Sequence, residues 1–262
     1  MIEHKENKSN DRYIVPAVEQ ASRVLFYLAR ASSTYVGLTE ICASVKIHKS
    51  KAFSILATLQ KFGLVQRSAE GRGYALGPGL LGLSRKFLDN LSPPRLAESI
   101  LEELARKTGT TATLGIIADK NVFVAARHEG GRAIVTTVRV GHRFPLTWGS
   151  HGKAIAAFLP PEELANLMKD KKLYFQGDPD KLDREKLAAE IEQCRLTWFA
   201  EDVEETTPGF IAVAAPVLGS SGHPMGYIAV LGLPSAGAAR LFGPLVAEAG
   251  KALSRQLGAA VE

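Results

Sequence analysis

The side chains of this 262-residue sequence best suited to move a proton or hold a metal are four histidines and an acidic cluster. The histidines are His128, His142, His151 and His223, and the cluster is Asp202, Glu204 and Glu205. Metal-assisted or nucleophilic hydrolysis needs spacing as well as residue type: paired histidines one helical turn apart, or a serine on a glycine-flanked elbow. The histidines are scattered, with no HxxxH or HExxH spacing, and neither a GxSxG elbow nor a P-loop occurs. The run Ser220-Ser221-Gly222-His223 reads as a hairpin turn. Cys42 and Cys194 lie far apart, which excludes a disulfide framework and a CxxC-type zinc site and leaves two reduced thiols. The expectation is therefore no metal, no cofactor and no catalysis.

A second set of polar residues has a spacing with a use. Lys49, Ser50, Lys51 and Ser54 fall opposite the apolar stripe Ala52, Ile55, Leu56 and Leu59 on a helix expected from about Lys49 to Phe62 and ended at Gly63. Lysine donates to guanine and serine bonds to most bases, so such a helix end suits a DNA major groove. Lys61 at the helix end, with Arg67 and Arg72 just beyond it, suits phosphate, which positions without specifying.

The elements that must carry these residues follow from periodicity. Val18, Ala21, Val24, Leu25 and Leu28 line one face of a first helix, broken at Ser32-Ser33-Thr34. A short second helix runs from Thr39, its expected N-cap, to Val45. After Gly63, Leu64–Arg67 and Gly73–Leu76 alternate around a turn at residues 69–71, the pattern of a hairpin. Helix, short helix, helix, hairpin is the order of a winged helix-turn-helix, assigned to residues 13–77. Residues 78–94 read as a linker helix stopped by Ser92-Pro93-Pro94. Residues 95–262 read as an α+β domain. It has a helix over Arg95–Lys107, strands at Ala112–Ile117, Val122–Arg127 and Ala133–Val140, and three helices at about Ser150–Phe158, Glu162–Lys169 and Asp183–Arg195. Strands at Phe210–Val217 and Met225–Leu231 and a final helix over Ala239–Leu257 complete it.

Charge divides along the same line. Residues 1–91 hold 13 Lys+Arg against 7 Asp+Glu, a net of +6, whereas residues 92–262 hold 19 against 20, a net of −1. A basic module joined to a neutral one is the footprint of nucleic-acid binding by one part only. No apolar run is long enough to span a bilayer and residues 1–12 lack a signal-peptide core, so a cytoplasmic protein with no membrane partner is expected.

Several blocks, in order, resemble the IclR family of bacterial transcription regulators. They are Leu38-Thr39-Glu40-Ile41, Lys49-Ser50, Leu56-Ala57-Thr58-Leu59 with Gly63, and Tyr74-Ala75-Leu76-Gly77. In the second half, Phe144-Pro145-Leu146 is followed by Gly152-Lys153-Ala154, and Gly209 leads to Ala212-Val213-Ala214-Ala215-Pro216-Val217 and Gly222. The resemblance covers about residues 15–257. It implies a GAF-like effector-binding domain on an antiparallel sheet, a small organic-acid effector, double-stranded operator DNA as partner, and a homodimer or dimer of dimers. Lys51 and Ser54 stand where many members carry Thr and Arg, so operator sequence does not carry over, and whether the protein represses or activates is equally open.

The resemblance further implies an effector pocket at Ala133, Thr136, Ser150, His151, Asp202, Ala212, Ala229 and Leu231, with Trp148 beside it. Ser150-His151-Gly152 opens a helix whose N–H groups suit an anionic oxygen. Ala229 and Leu231 are apolar where members binding small carboxylates are often polar, which points to a ligand larger or more aromatic than a two- or three-carbon acid. Two rival readings stay open: a ligand-independent DNA-binding oligomer, and a small-molecule enzyme with a vestigial DNA module.

Overall fold

The computed structural model describes residues 13–69, 71–90, 92–131, 138–233 and 238–261, and the chain divides into two compact units between Asn90 and Leu91. The first unit packs α1 (Pro16–Arg30), α2 (Leu38–Val45) and α3 (Lys49–Lys61) around Val24, Ile41, Leu56 and Val65. A hairpin of β1 (Val65–Arg67) and β2 (Tyr74–Leu76) follows, and β2 is tied back to the loop before α2 by a Val36–Tyr74 bridge. The order of a winged helix-turn-helix is thus present. Two local expectations differ. Gly37, not Thr39, caps α2, with no side-chain bond, because the helix starts one residue before the threonine. Val18 is exposed, because the core begins only at the second turn of α1.

Next come α4 (Gly79–Asn90) and α5 (Ser92–Thr108). The helix before them, α4, ends at Asn90, and Pro93 and Pro94 themselves lie inside the first turn of α5; proline is tolerated there because first-turn N–H groups have no intrahelical acceptor.

Among the described residues, the sheet of the second unit has six strands in the order β5-β4-β3-β8-β7-β6, with every neighbouring pair antiparallel. Its strands are β3 (Thr111–Ala118), β4 (Asn121–His128), β5 (Arg143–Pro145), β6 (Ala200–Val203), β7 (Ile211–Leu218) and β8 (Pro224–Gly232). Side chains alternate between two cores. Ile228 and Val230 face α5 and α9 (Ala238–Gln256), whereas Tyr227 and Ala229 face α6 (Gly149–Phe158) and α8 (Arg184–Thr197). A short helix, α7 (Pro161–Leu167), links α6 to the segment before α8. The expected strand at 133–140 falls largely outside the described residues, and its last three positions, 138–140, form no strand. Among the described residues, the first part of β4 pairs on this side with β5, Phe144 standing opposite Val122. The edge strand β6 was not expected from sequence: only four residues long and half exposed, it has too little alternation to read.

Candidate functional site

On the first unit, α3 buries Ala52, Ile55, Leu56 and Leu59 and exposes Lys49, Ser50, Lys51, Ser54 and Lys61. The helix carries no acidic residue, so its outer surface offers cations, hydroxyls, the Gln60 carboxamide and apolar groups, and no carboxylate. Ser54 donates its hydroxyl to Ser50 O of the preceding turn at 3.1 Å, which leaves its oxygen lone pairs for an incoming donor. On the hairpin, Arg67 donates from Nε to Gly71 O at 3.0 Å and lies 5.7 Å from the Tyr74 ring centre. That arginine therefore holds the turn as well as offering charge, whereas Arg72 is exposed and, among the described residues, is anchored by its backbone N–H to Ser68 Oγ. Phe53 was assigned no role from sequence and is 53% exposed on α3, a large apolar group on an otherwise polar surface.

In the second unit, a cavity of about 220 Å³ opens between the sheet and the start of α6. Trp148, Ser150, His151, Asp202, Ala212, Ala229 and Leu231 line it together. Ala133 and Thr136 lie outside the described residues. Sequence reasoning missed Thr113, Val138, His142, Phe144, Thr206, Thr207, Phe210, Ile211 and Tyr227, which complete the described lining. Tyr227 was within reach of the strand period, standing two residues before Ala229 on the same face. Thr113 was not, because it reaches the site only through its register opposite Ala229.

Aromatic rings dominate the walls. His151 stacks on Tyr227 with centroids 4.5 Å apart and planes 15° from parallel, and His142 stacks on Phe144 with the same separation. Phe144 also lies 6.2 Å from Trp148 and 5.8 Å from His151. The Tyr227 ring lies flat because its neighbour on β3 is Gly115: a Cβ there would stand 2.0 Å from the ring edge.

The polar groups gather at the start of α6. Gly149 donates its N–H to Tyr174 O at 3.3 Å and Gly152 donates to Trp148 O at 2.9 Å, while the N–H groups of Ser150 and His151 have no partner among the described residues. Gly149 has φ +49, and a Cβ on it would meet Asp202 Oδ2 at 2.5 Å, so this glycine admits both the turn and the carboxylate. Asp202 is 4% exposed. Its Oδ1 accepts the N–H groups of Glu205 (3.0 Å) and Thr206 (3.2 Å), and Oδ2 accepts the Thr206 hydroxyl at 2.5 Å.

Burial lowers the pKa of His151 to about 4, against the opposing pull of Pro145 O 3.4 Å from Nε2. The imidazole is thus neutral at pH 7, and the carbonyl contact assigns its proton to Nε2. Burial likewise holds the Tyr227 hydroxyl well above its usual range, outweighing its bond with Thr113. No lysine or arginine is among the described lining residues. The described lining is therefore mainly apolar and aromatic. Its polar groups are the Asp202 carboxyl, the hydroxyls of Thr113, Ser150, Thr206, Thr207 and Tyr227, the rings of His142 and His151, and the two N–H groups that have no partner among the described residues. Cys194 has no reactive character: burial pushes its thiol up to about 12, despite Arg195 nearby. Among the described residues no group of His, Cys, Asp or Glu could hold a metal, and no helix is long and apolar enough to cross a membrane.

Comparison with known proteins places this geometry in a family. Residues 17–69 match the IclR helix-turn-helix domain, and residues 86–254 match the bacterial transcriptional regulator IclR C-terminal domain. The HTH-type transcriptional regulator XynR of Escherichia coli is 32% identical over 252 residues, covering 94% of this chain and 98% of that protein. An IclR transcriptional regulator from Alicyclobacillus acidocaldarius superposes with a TM-score of 0.79 at 25% identity, over 94% of this chain and all of that one. An IclR homologue from Microbacterium hydrocarbonoxydans, solved with 4-hydroxybenzoate, shares the fold with a TM-score of 0.74 at 16% identity, over 92% of this chain and 98% of that one. With both of its domains matched in order, and a relative of nearly equal length, the chain belongs to the IclR family of bacterial transcriptional regulators.

Proposed function

We propose that this regulator binds operator DNA through α3 and the β1–β2 hairpin, and that a single-ring aromatic acid in the α6 cavity controls that binding. The carrying observation is the cavity itself: about 220 Å³, walled by Tyr227, His151, Phe144 and Trp148. That volume lies below the roughly 300–1,000 Å³ of sites for drug-sized ligands and suits one ring with small substituents. The ring would lie against the stacked aromatic wall and Ala229 and Leu231. A carboxylate would take the free N–H groups of Ser150 and His151, since neutral His151 brings no charge to it. A ring hydroxyl would donate to Asp202. The 4-hydroxybenzoate held by the Microbacterium relative makes that compound the first to test.

On this reading, Lys49, Ser50, Lys51 and Ser54 meet base edges, and Lys61, Arg67 and Arg72 meet phosphates. The protein acts as a homodimer or dimer of dimers, and ligand shifts a population between DNA-competent and DNA-released states. Duplexes selected from a randomised pool by the full-length protein supply the probe, and single-ring hydroxy- and amino-benzoates supply the panel. At least one compound should change the affinity for the selected duplex by about ten-fold or more, within the usual range of coupling energies. No effect from any compound that calorimetry shows to bind would separate the cavity from DNA control; failure to select any sequence would overturn the DNA assignment. Light scattering of the free protein checks the oligomer, and a monomer at the concentrations active in DNA binding would sink it.

A further inference from the structure

Among the described residues, one of the largest fully buried side chains of the second unit is a lysine. Lys153, on α6 one turn after Ser150, has 1% of its side chain exposed, yet it lines no part of the described cavity. An ammonium so enclosed is costly unless its protons are met by acceptors. Two hydrogen-bond acceptors and one ion-pair partner surround it, drawn from three places. Nζ donates to Glu201 O on β6 at 3.1 Å and to Glu205 Oε2 in the loop after β6 at 2.5 Å, and it forms an ion pair with Glu190 Oε2 on α8 at 2.8 Å. Lys186, also on α8, donates to the second oxygen of Glu205 at 2.5 Å. Burial would raise the Glu205 pKa, but the two lysines outweigh it and hold the carboxyl below its usual range, so Glu205 stays charged in the site.

Glu205 is held at both ends. Its carboxylate is fastened by the lysines on the far side of the turn, and its backbone N–H is bonded to Asp202 Oδ1 on the cavity side. The next residue, Thr206, gives its N–H and hydroxyl to the same aspartate and lines the cavity. We infer that Lys153 is a positioning residue for the effector site. Through Glu205 it fixes the turn that presents Asp202 and Thr206 to the cavity, and it links that turn to α8. The inference rests on the proposed ligand role of the cavity for its consequence, but its geometry is testable without any ligand.

The test is backbone amide exchange of the full-length, ligand-free protein, resolved over residues 202–210, for wild type, Lys153→Met, Glu205→Gln and the double variant. Glu205→Gln keeps the shape of the side chain and leaves Lys153 paired with Glu190, so it stays informative if Lys153→Met folds poorly. In both single variants the Glu205 and Thr206 amides should exchange roughly ten- to hundred-fold faster, as expected when a charge-assisted contact supporting the turn is lost. Amides of β7 and β8 should stay protected. The double variant should be no faster than the faster single one, because both changes remove one coupled interaction. Unchanged exchange at Glu205 and Thr206 in Glu205→Gln, or equal acceleration through β7 and β8, would overturn the assignment and make Lys153 a general core residue. A failed ligand screen would instead count against the cavity's proposed function and leave this result standing.

Discussion

Lys51 and Ser54 should differ from Arg72 in what their loss does to DNA binding. The first two project from the outer surface of α3, and a good contact to a base edge carries about 1–3 kcal/mol of discrimination. Across a panel of single-base operator variants, Lys51→Ala and Ser54→Ala should flatten the preference at particular positions. Arg72→Ala should weaken every duplex alike and lower the salt slope of binding by about 1, as expected for one lost phosphate contact. Uniform weakening by all three would remove base reading from α3. His151 yields a prediction about pH. Its imidazole titrates near its ordinary 6.5 in the unfolded chain and at about 4 when folded. Below pH 6.5 the unfolded state takes up a proton that the folded state refuses, so stability is full above that pH and falls as the pH drops towards 4. At pH 5 the loss due to this group is about 2 kcal/mol. Urea unfolding of His151→Gln should show a smaller difference between pH 7.5 and pH 5 than wild type by that amount; an equal difference would mean the ring is not buried as a neutral group.

At the scale of elements, two glycines decide the shape of the cavity. Gly115 on β3 leaves the space in which the Tyr227 ring lies against His151. Gly115→Val should push that ring off the sheet, cost about 1–3 kcal/mol as overpacking does, and remove binding of aromatic acids. Calorimetry and a crystal structure of the variant would check it, and retained affinity would show that the stacked wall is not the ligand's surface. Gly149 combines a left-handed backbone with an approach to Asp202 too close for a methyl group, so Gly149→Ala should destabilise the protein by more than the roughly 1 kcal/mol that such a backbone costs alone. A thermal-melt difference no larger than the backbone cost would show that Asp202 moves freely away from α6. Both effects arise from strands and a helix meeting, not from either element alone.

At the scale of the whole molecule, charge and fold divide at the same place. The positive excess of residues 1–91 lies with the helix-turn-helix, and residues 92–262 carry a net of −1. A fragment of residues 1–91 should retain weak, steeply salt-sensitive DNA binding, because phosphate contacts release counterions, and residues 92–262 should show none. Fluorescence anisotropy at a series of salt concentrations measures both; comparable affinity in the second fragment would undo the division of labour.

The sequence by itself determined which segments are helices and strands wherever hydrophobic periodicity was long: α3, α6, β3, β7 and β8 all stand within a few residues of where the pattern put them. It also placed Lys49, Ser50, Lys51 and Ser54 opposite a buried stripe, because a helix of known pitch relates residues three and four apart without outside help. Periodicity failed where elements were short or irregular, at β5, β6 and the start of α5. Only the tertiary structure decided what stands opposite what. Thr113 and Gly115 enter the site through the register of β3 on β8, and Thr206 through a turn folded over Asp202. The neutrality of His151 and the enclosure of Lys153 likewise belong to no local segment. Burial depends on every element packed around a group, and a side chain's charge and partners follow from that burial rather than from its neighbours in the chain.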